Sequence, residues 1–561
     1  MKRLALILPL LLSLLNLQAA NRRLVVLRAE FRDVKFSTSQ EHLDSLLQIS
    51  KKWLDAQFAP KDSVTIDLGP VVTLEENQAW YGANSTSDHD ALLYKAVMEA
   101  CRQSDDKIDF SLYDFDTDGQ VDNVYIIMAG ESEAGDGSED CIWPRYGSLK
   151  DYNATLTLDN RKIVGFCVCT EHDTPGTFCH EYMHSFGLPD FYDTDDEGSG
   201  GRSNSMFGCI SIMDLGCGNG AGLTPPNLCA PELEFLGLGE CLPLKKGTHT
   251  LGAGDGCRRF LKCPTANEGE FYLLECRNDS GWDEGIGGSG MLIYHVDRSE
   301  SSAGWSDYYR RELTAAERWN LNEVNCRPDN PCSEIIPARP DARSASEAFF
   351  TGADASSFAP HASPLAISGI RTGGDGSVSF DVIEPVSVRE CNSFQDAVIL
   401  AWEVDSLIAD GCRCGIIWSK EGADDSAEGV QGHGGSFSHT LEGLEPGTAY
   451  SIKICVTTKS RDTFSLTSEI TTKSYRSGSR PYIYLAGAAR GSDGSFSEGA
   501  KIPLRVYNAP DAASVAWTMD GVPVSTGDDG YYTIKRSGLL KAEVFWKSGG
   551  CDIIIKNIVV K

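Results

Sequence analysis

The sequence is short of positive charge: lysine and arginine total 50 against 80 aspartates and glutamates, giving a formal charge of −30. That deficit argues against nucleic acid or an anionic membrane surface as the partner. Past residue 20 no stretch approaches the roughly 20 consecutive apolar residues that a spanning helix needs, so no transmembrane segment is expected in the mature chain. Residues 1–20 lack cysteine, which removes the site for a lipid anchor near a cleavage point. They hold Lys2 and Arg3, an apolar run from Leu4 to Leu17 broken by Pro9 and Ser13, and then Gln18-Ala19-Ala20. This is the pattern of a signal peptide, and it predicts a secreted or extracytoplasmic protein. The 19 cysteines permit disulfides after export, but an odd total leaves at least one without an intrachain partner. The 561 residues exceed one compact core, so two to four domains are expected.

The chemistry is concentrated in Cys179-His180-Glu181-Tyr182-Met183-His184-Ser185-Phe186-Gly187-Leu188-Pro189-Asp190. Histidines four apart on a helix leave the same face one turn from each other and can close on one metal ion. Glu181, beside the first of them, is placed to reach a water on the metal rather than the metal itself. A catalytic zinc commonly takes three protein ligands, so the third must come from outside the helix. Gly187 permits a sharp turn and Leu188-Pro189 blocks further helix, so Asp190 can be carried back to the metal. Tyr192 is a candidate oxyanion donor or a packing residue beneath the site. Asp193, Asp195 and Asp196 form an acidic turn, readable as a second cation site or as a solvated loop.

Upstream, Asp114-Phe-Asp116-Thr-Asp118-Gly-Gln120-Val-Asp122 has alternate aspartates and a turn glycine, most of a calcium loop. Position twelve is Tyr125 rather than glutamate, so this is not an EF-hand. Calcium there would pin the loop rather than take part in hydrolysis. Downstream, Met213 sits in the turn Ser211-Ile-Met-Asp214, a candidate floor beneath the metal.

Spacing predicts a strand over 22–31, helices over 40–58 and 88–101, and strands over 121–128 and 162–169, hence an α/β first domain. Thr177 is a candidate N-cap of the zinc helix. Short strands follow from 242 to 382, with the Ser-, Ala- and Asp-rich run 301–366 read as long surface loops. His295 alternates along one of these strands and is read as structural rather than as a ligand. Alternating strands with turns from 386 to 474, including Leu441-Glu-Gly-Leu-Glu-Pro-Gly-Thr-Ala-Tyr450, predict a fibronectin type III-like sandwich. A further, immunoglobulin-like β-sandwich is expected over 480–561. The expected division is therefore a signal peptide 1–20, a zinc metallopeptidase core 21–240, a β-rich extension of the catalytic region 241–385, and the two sandwiches.

His180-Glu-x-x-His184-x-x-Gly187-x-x-Asp190 followed by Met213 resembles the metzincin pattern, with aspartate where most members have a third histidine. The stretches Asp109–Asp122, Ile142-Trp-Pro144, His184–Asp193, Ser211–Asp214, Gly281-Trp-Asp283 and Gly287–Asp297 narrow the resemblance to the immune inhibitor A family of bacterial secreted metallopeptidases. It covers roughly residues 25–300. The resemblance implies a secreted zinc endopeptidase acting on extracellular proteins, with His180 and His184 as ligands and Glu181 as the acid/base. It makes Met213 the methionine of the turn and Asp190 the favoured third ligand, with Asp193 a weaker alternative. Many relatives carry a sizeable propeptide, whereas the first catalytic-type strand here begins almost at the expected cleavage point. The C-terminal modules would serve spacing, substrate attachment, or cell-surface or matrix contact. Two other readings share these motifs: a calcium-stabilised adhesion protein with a vestigial zinc site, and a zinc amidase acting on a non-protein amide.

Overall fold

A computed structural model describes residues 20–561 apart from 86–88, 205–206, 255, 302, 340–346, 354, 460–461, 477–479, 486–489 and 492. Residues 1–19, nearly all of the expected leader, lie outside the described residues. The chain is mostly β-strand, arranged in several sheets with few helices. It divides into two units, one holding 1–356 and 369–380, the other 357–368 and 381–561. Of the stretch 241–385, residues 357–368 and 381–385 group with the second unit.

The first unit is built on a five-stranded sheet. Its strands run in the order Asp62–Thr73, Ala20–Glu30, Val124–Met128, Gly165–Thr170, Arg145–Ser148. The first four are parallel and the last is an antiparallel edge. Side chains alternate across this sheet, as a two-residue period requires. Leu24, Val26, Tyr125, Ile127, Cys167 and Cys169 face one core, and Val25, Leu27, Val124, Ile126, Phe166 and Val168 face the other. Both faces are buried at the centre of the sheet, so Val124–Met128 and Gly165–Thr170 read as nearly continuous apolar runs. The helix Gln40–Phe58 covers the first face through Leu43, Leu46, Leu47, Trp53 and Leu54, with Ser39 as its N-cap. The helix Leu93–Ser104 covers the second through Ala96, Val97 and Ala100. Its expected start at Asp88 lies outside the described residues.

No element is predicted over Asp62–Thr73, where Gly69 and Pro70 punctuate the strand. An edge position with a register shift between Val26 and Arg28 accommodates the proline. A second five-stranded sheet, in the order Ser333–Ile336, Gly290–Asp297, Glu270–Arg277, Arg259–Pro264, Glu240–Pro243, buries Phe260, Leu273, Leu292, Tyr294 and Ile335 in the first core. The run 301–366, expected as loops, is corrected in its first half. It holds a hairpin of Ala303–Ser306 with Arg311–Thr314 and a helix Ala315–Asn320, started by a capping box between Thr314 and Glu317.

In the second unit, one four-stranded sheet contains Val386–Ser393, Ala397–Val404, Ser436–Glu442 and Gly432–His433. Another contains Ser426–Val430, Arg413–Ser419, Ala449–Thr457 and Thr463–Thr471. Val398, Leu400, Trp402, Ile416, Ile452, Ile454 and Val456 share one core. A separate core lies around Ala512–Met519, Gly538–Trp546 and Cys551–Ile558.

Candidate metal centre

The helix Pro175–His184 carries both histidines. Its N-cap is Thr174, whose hydroxyl accepts the Thr177 N–H at 3.2 Å, with Pro175 at the first helical position. This corrects the expected cap at Thr177, which supplies the capped N–H instead. Gly176 is required by packing, because a Cβ there would stand 1.8 Å from the Cys217 carbonyl oxygen. The helix ends at His184, and Gly187, whose φ of 85° suits glycine, then turns the chain away. Leu188, Pro189 and Asp190 then return to the helix face, and all three are buried.

His180 donates from Nδ1 to the Ile212 carbonyl at 2.7 Å, and His184 from Nδ1 to the Leu188 carbonyl at 2.7 Å. A carbonyl only accepts, so both Nδ1 atoms carry a proton, and in the neutral rings both Nε2 atoms present lone pairs. Those Nε2 atoms are 3.2 Å apart. Asp190 Oδ1 lies 3.3 Å from one and 3.4 Å from the other, and has no hydrogen-bond donor. Three lone-pair atoms therefore face one another in a buried triangle. With zinc–ligand distances of about 2.0–2.1 Å, tetrahedral ligands stand roughly 3.3 Å apart. The donor set and its spacing fit zinc.

The local charges couple the three groups. Burial alone would raise the Asp190 carboxyl, but His184 and His180 hold it well below the usual carboxylate range. Burial opposes charge on His180 and His184, yet Asp190 outweighs it and raises both. Glu181 stands 4.0 Å from His180 Nε2, outside the triangle. Burial pushes its carboxyl up against the pull of the two histidines. Tyr192 stands at the rim, where burial and then the Asp190 charge raise its phenol.

Met213 is fully buried, and its carbonyl accepts the Phe191 N–H at 2.8 Å. Since Ile212 holds His180, this one turn fixes both the helix ligand and the segment carrying Asp190. Beneath it the buried Glu232 accepts from the Ser211 hydroxyl at 2.6 Å and the Cys229 N–H at 2.6 Å. Sequence reasoning missed Glu232, which carries no motif. It also missed Asn322, which accepts the Asp190 N–H at 2.6 Å and donates to Asp190 Oδ2 at 2.8 Å. Around the triangle lies a cleft of about 410 Å³, with His89, Trp143, Arg145, Tyr146, Tyr192 and Trp319 among its walls.

Asp193 points elsewhere. Its carboxylate accepts the Asp195 and Ser203 N–H groups at 3.2 and 2.7 Å and clusters with Asp195 and Cys326. In the upstream loop Asp114, Asp116 and Asp118 bring oxygens within 4.8 Å of one another. Asp114 also pairs with Arg161 at 2.5 Å. The Gln120 amide donates to Asp118, and Asp122 accepts the Phe115 N–H at 3.2 Å.

Residues 27–238 match the family model described as Immune inhibitor A peptidase M6, catalytic domain. The resemblance to the immune inhibitor A peptidases is borne out. Immune inhibitor A of Bacillus thuringiensis subsp. alesti is 28% identical over 224 residues, covering 34% of this chain and 32% of the relative's own length. The matched region is of metallopeptidase type and contains all three atoms of the triangle. A solved redesigned β-sandwich protein is 19% identical, covering 16% of this chain and 93% of its own, with a TM-score of 0.14, too low to bear on the fold. Among the described residues no helix is long and apolar enough to cross a membrane.

Proposed function

We propose that the protein is an exported zinc endopeptidase that hydrolyses extracellular proteins. The observation that carries this reading is the buried triangle of His180 Nε2, His184 Nε2 and Asp190 Oδ1, with Glu181 just outside it. Zinc held there would polarise the scissile carbonyl and acidify water. Glu181 takes the proton of the attacking water and delivers it to the leaving nitrogen, a role suited to a carboxyl raised by burial. Among the described residues Arg145–Ser148 is the last strand of its sheet, and Arg145 and Tyr146 line the cleft, so an extended peptide can add beside it as a further strand. The Tyr192 hydroxyl, beside Asp190 at the rim, is the candidate donor to the developing oxyanion. Met213 and Gly187 shape the site without touching the reaction.

Calcium in the Asp114–Asp122 loop would stabilise it, since Asp114 Oδ1 is buried without a hydrogen-bond donor. The two four-stranded sheets between 386 and 474 fit a fibronectin type III-like module. Their Tyr450 hydroxyl accepts the Glu445 N–H at 2.8 Å, the corner such sandwiches use. The last module, over 480–561, is read as immunoglobulin-like. Both would serve spacing or surface contact, and the leader over 1–20 would direct export. The test is cleavage of a protein-substrate library by the purified chain. Chelator should abolish cleavage and zinc should restore it; no cleavage of any peptide bond overturns the reading.

A further inference from the structure

The metal triangle depends on a segment far beyond the matched residues 27–238. Asp190 is the one ligand outside the helix, and a carboxylate on an irregular segment can turn about its χ angles unless it is held. Asn322 holds it twice: Oδ1 accepts the Asp190 N–H at 2.6 Å, and Nδ2 donates to Asp190 Oδ2 at 2.8 Å. The second bond occupies Oδ2 and leaves Oδ1 as the oxygen turned to the histidines. Asn322 is itself fixed. It follows the helix Ala315–Asn320, adopts a φ of 60° that asparagine tolerates better than most residues, and accepts the Thr194 hydroxyl on its carbonyl at 2.7 Å. Nearby, Asn325 donates to the Phe191 carbonyl at 2.8 Å and accepts the Ser333 N–H at 3.1 Å. Trp319 packs edge-on against Phe191 with ring centres 5.6 Å apart.

We propose that Asn322 is the positioning residue of the metal site, and that the segment Trp319–Asn325 clamps Asp190 in ligand geometry. The proposal rests on the zinc reading above. Outer partners of ligand groups set ligand orientation, and losing one typically lowers metal affinity about 10- to 100-fold. Asn322→Gly keeps the left-handed backbone and removes only the side chain. Asn322→Asp keeps the shape and the acceptor for the Asp190 N–H but replaces the donor to Oδ2 with a repelling oxygen.

Zinc affinity of the full chain, measured by competition with a chromophoric chelator, should fall about 10- to 100-fold in Asn322→Gly. The unfolding temperature of the metal-free chain should stay near wild type. The visible spectrum of the cobalt-substituted protein should change in Asn322→Asp, which a purely structural role would not produce. Wild-type affinity and an unchanged cobalt spectrum in either folded variant overturn the proposal alone. A wild-type chain that binds no zinc overturns the zinc reading with it.

Discussion

His180 and His184 meet Asp190 with both Nδ1 atoms tied to backbone carbonyls. His295, in the second sheet of the same unit, meets Glu270 at 2.8 Å through Nε2 and Glu334 at 3.5 Å through Nδ1. The residue types are the same and the arrangements differ. A carbonyl on Nδ1 keeps a proton on that nitrogen, so in the neutral ring Nε2 turns its lone pair to the carboxylate and a cation can join all three groups. Carboxylates on both nitrogens instead favour a protonated ring, and the cluster is closed as an ion pair. Proximity of histidine to acid is therefore poor evidence for a ligand. What occupies the other ring nitrogen decides.

The largest effect expected from this contrast is at Glu181. Glu181→Gln should lower peptide hydrolysis by about 10²- to 10⁴-fold while zinc content stays at the wild-type level, because the carboxyl lies outside the triangle. Zinc analysis beside the assay separates the two; metal lost together with turnover would make Glu181 a ligand. Next comes the choice between acidic residues. Asp190→Ala should cost more than about 100-fold in zinc affinity, above the range for outer partners, while Asp193→Ala should leave it near wild type. The reverse result would break the comparison at its root. A smaller effect is expected in the aspartate loop, where carboxylates already accept backbone N–H groups. Saturating calcium at 100 times its dissociation constant stabilises by about 2.7 kcal/mol. Calorimetry should show the unfolding temperature rising with calcium in the wild type and staying constant in Asp118→Ala.

Much of this was legible in the sequence where the signal is local. The helix Gln40–Phe58 was legible to its end residues because its apolar spacing is regular. Gly187 and Asp190 were legible because a turn glycine and a blocking proline have direct steric meaning. The strand Asp62–Thr73 was not, since Gly69 and Pro70 mimic a loop and only the edge position explains them. The hairpin and helix between 303 and 320 were hidden by polar composition. Asn322 lies 132 residues from Asp190, and no local pattern encodes a contact over that distance.

His295 gives the finest test, because its expected effect is small and its sign is fixed. Burial opposes its charge, but Glu334 and Glu270 outweigh this and raise its pKa above the ordinary value near 6.5. A group whose folded pKa is raised contributes fully below its unfolded pKa, and the contribution is lost as pH rises through the folded pKa. The stability difference between wild type and His295→Gln should thus be largest near pH 6 and shrink above it, by on the order of 1 kcal/mol for a partly screened pair. Glu270 works from the other side. Its pKa is lowered, with His295 the largest pull against burial, so its contribution is present above the unfolded carboxylate pKa and lost as pH falls through the folded one. Denaturant unfolding across this range measures both limbs, and zinc content should not change in the variant. A difference flat with pH would remove the charged pairing, and lost zinc would mean that carboxylates on both ring nitrogens do not disqualify a histidine after all.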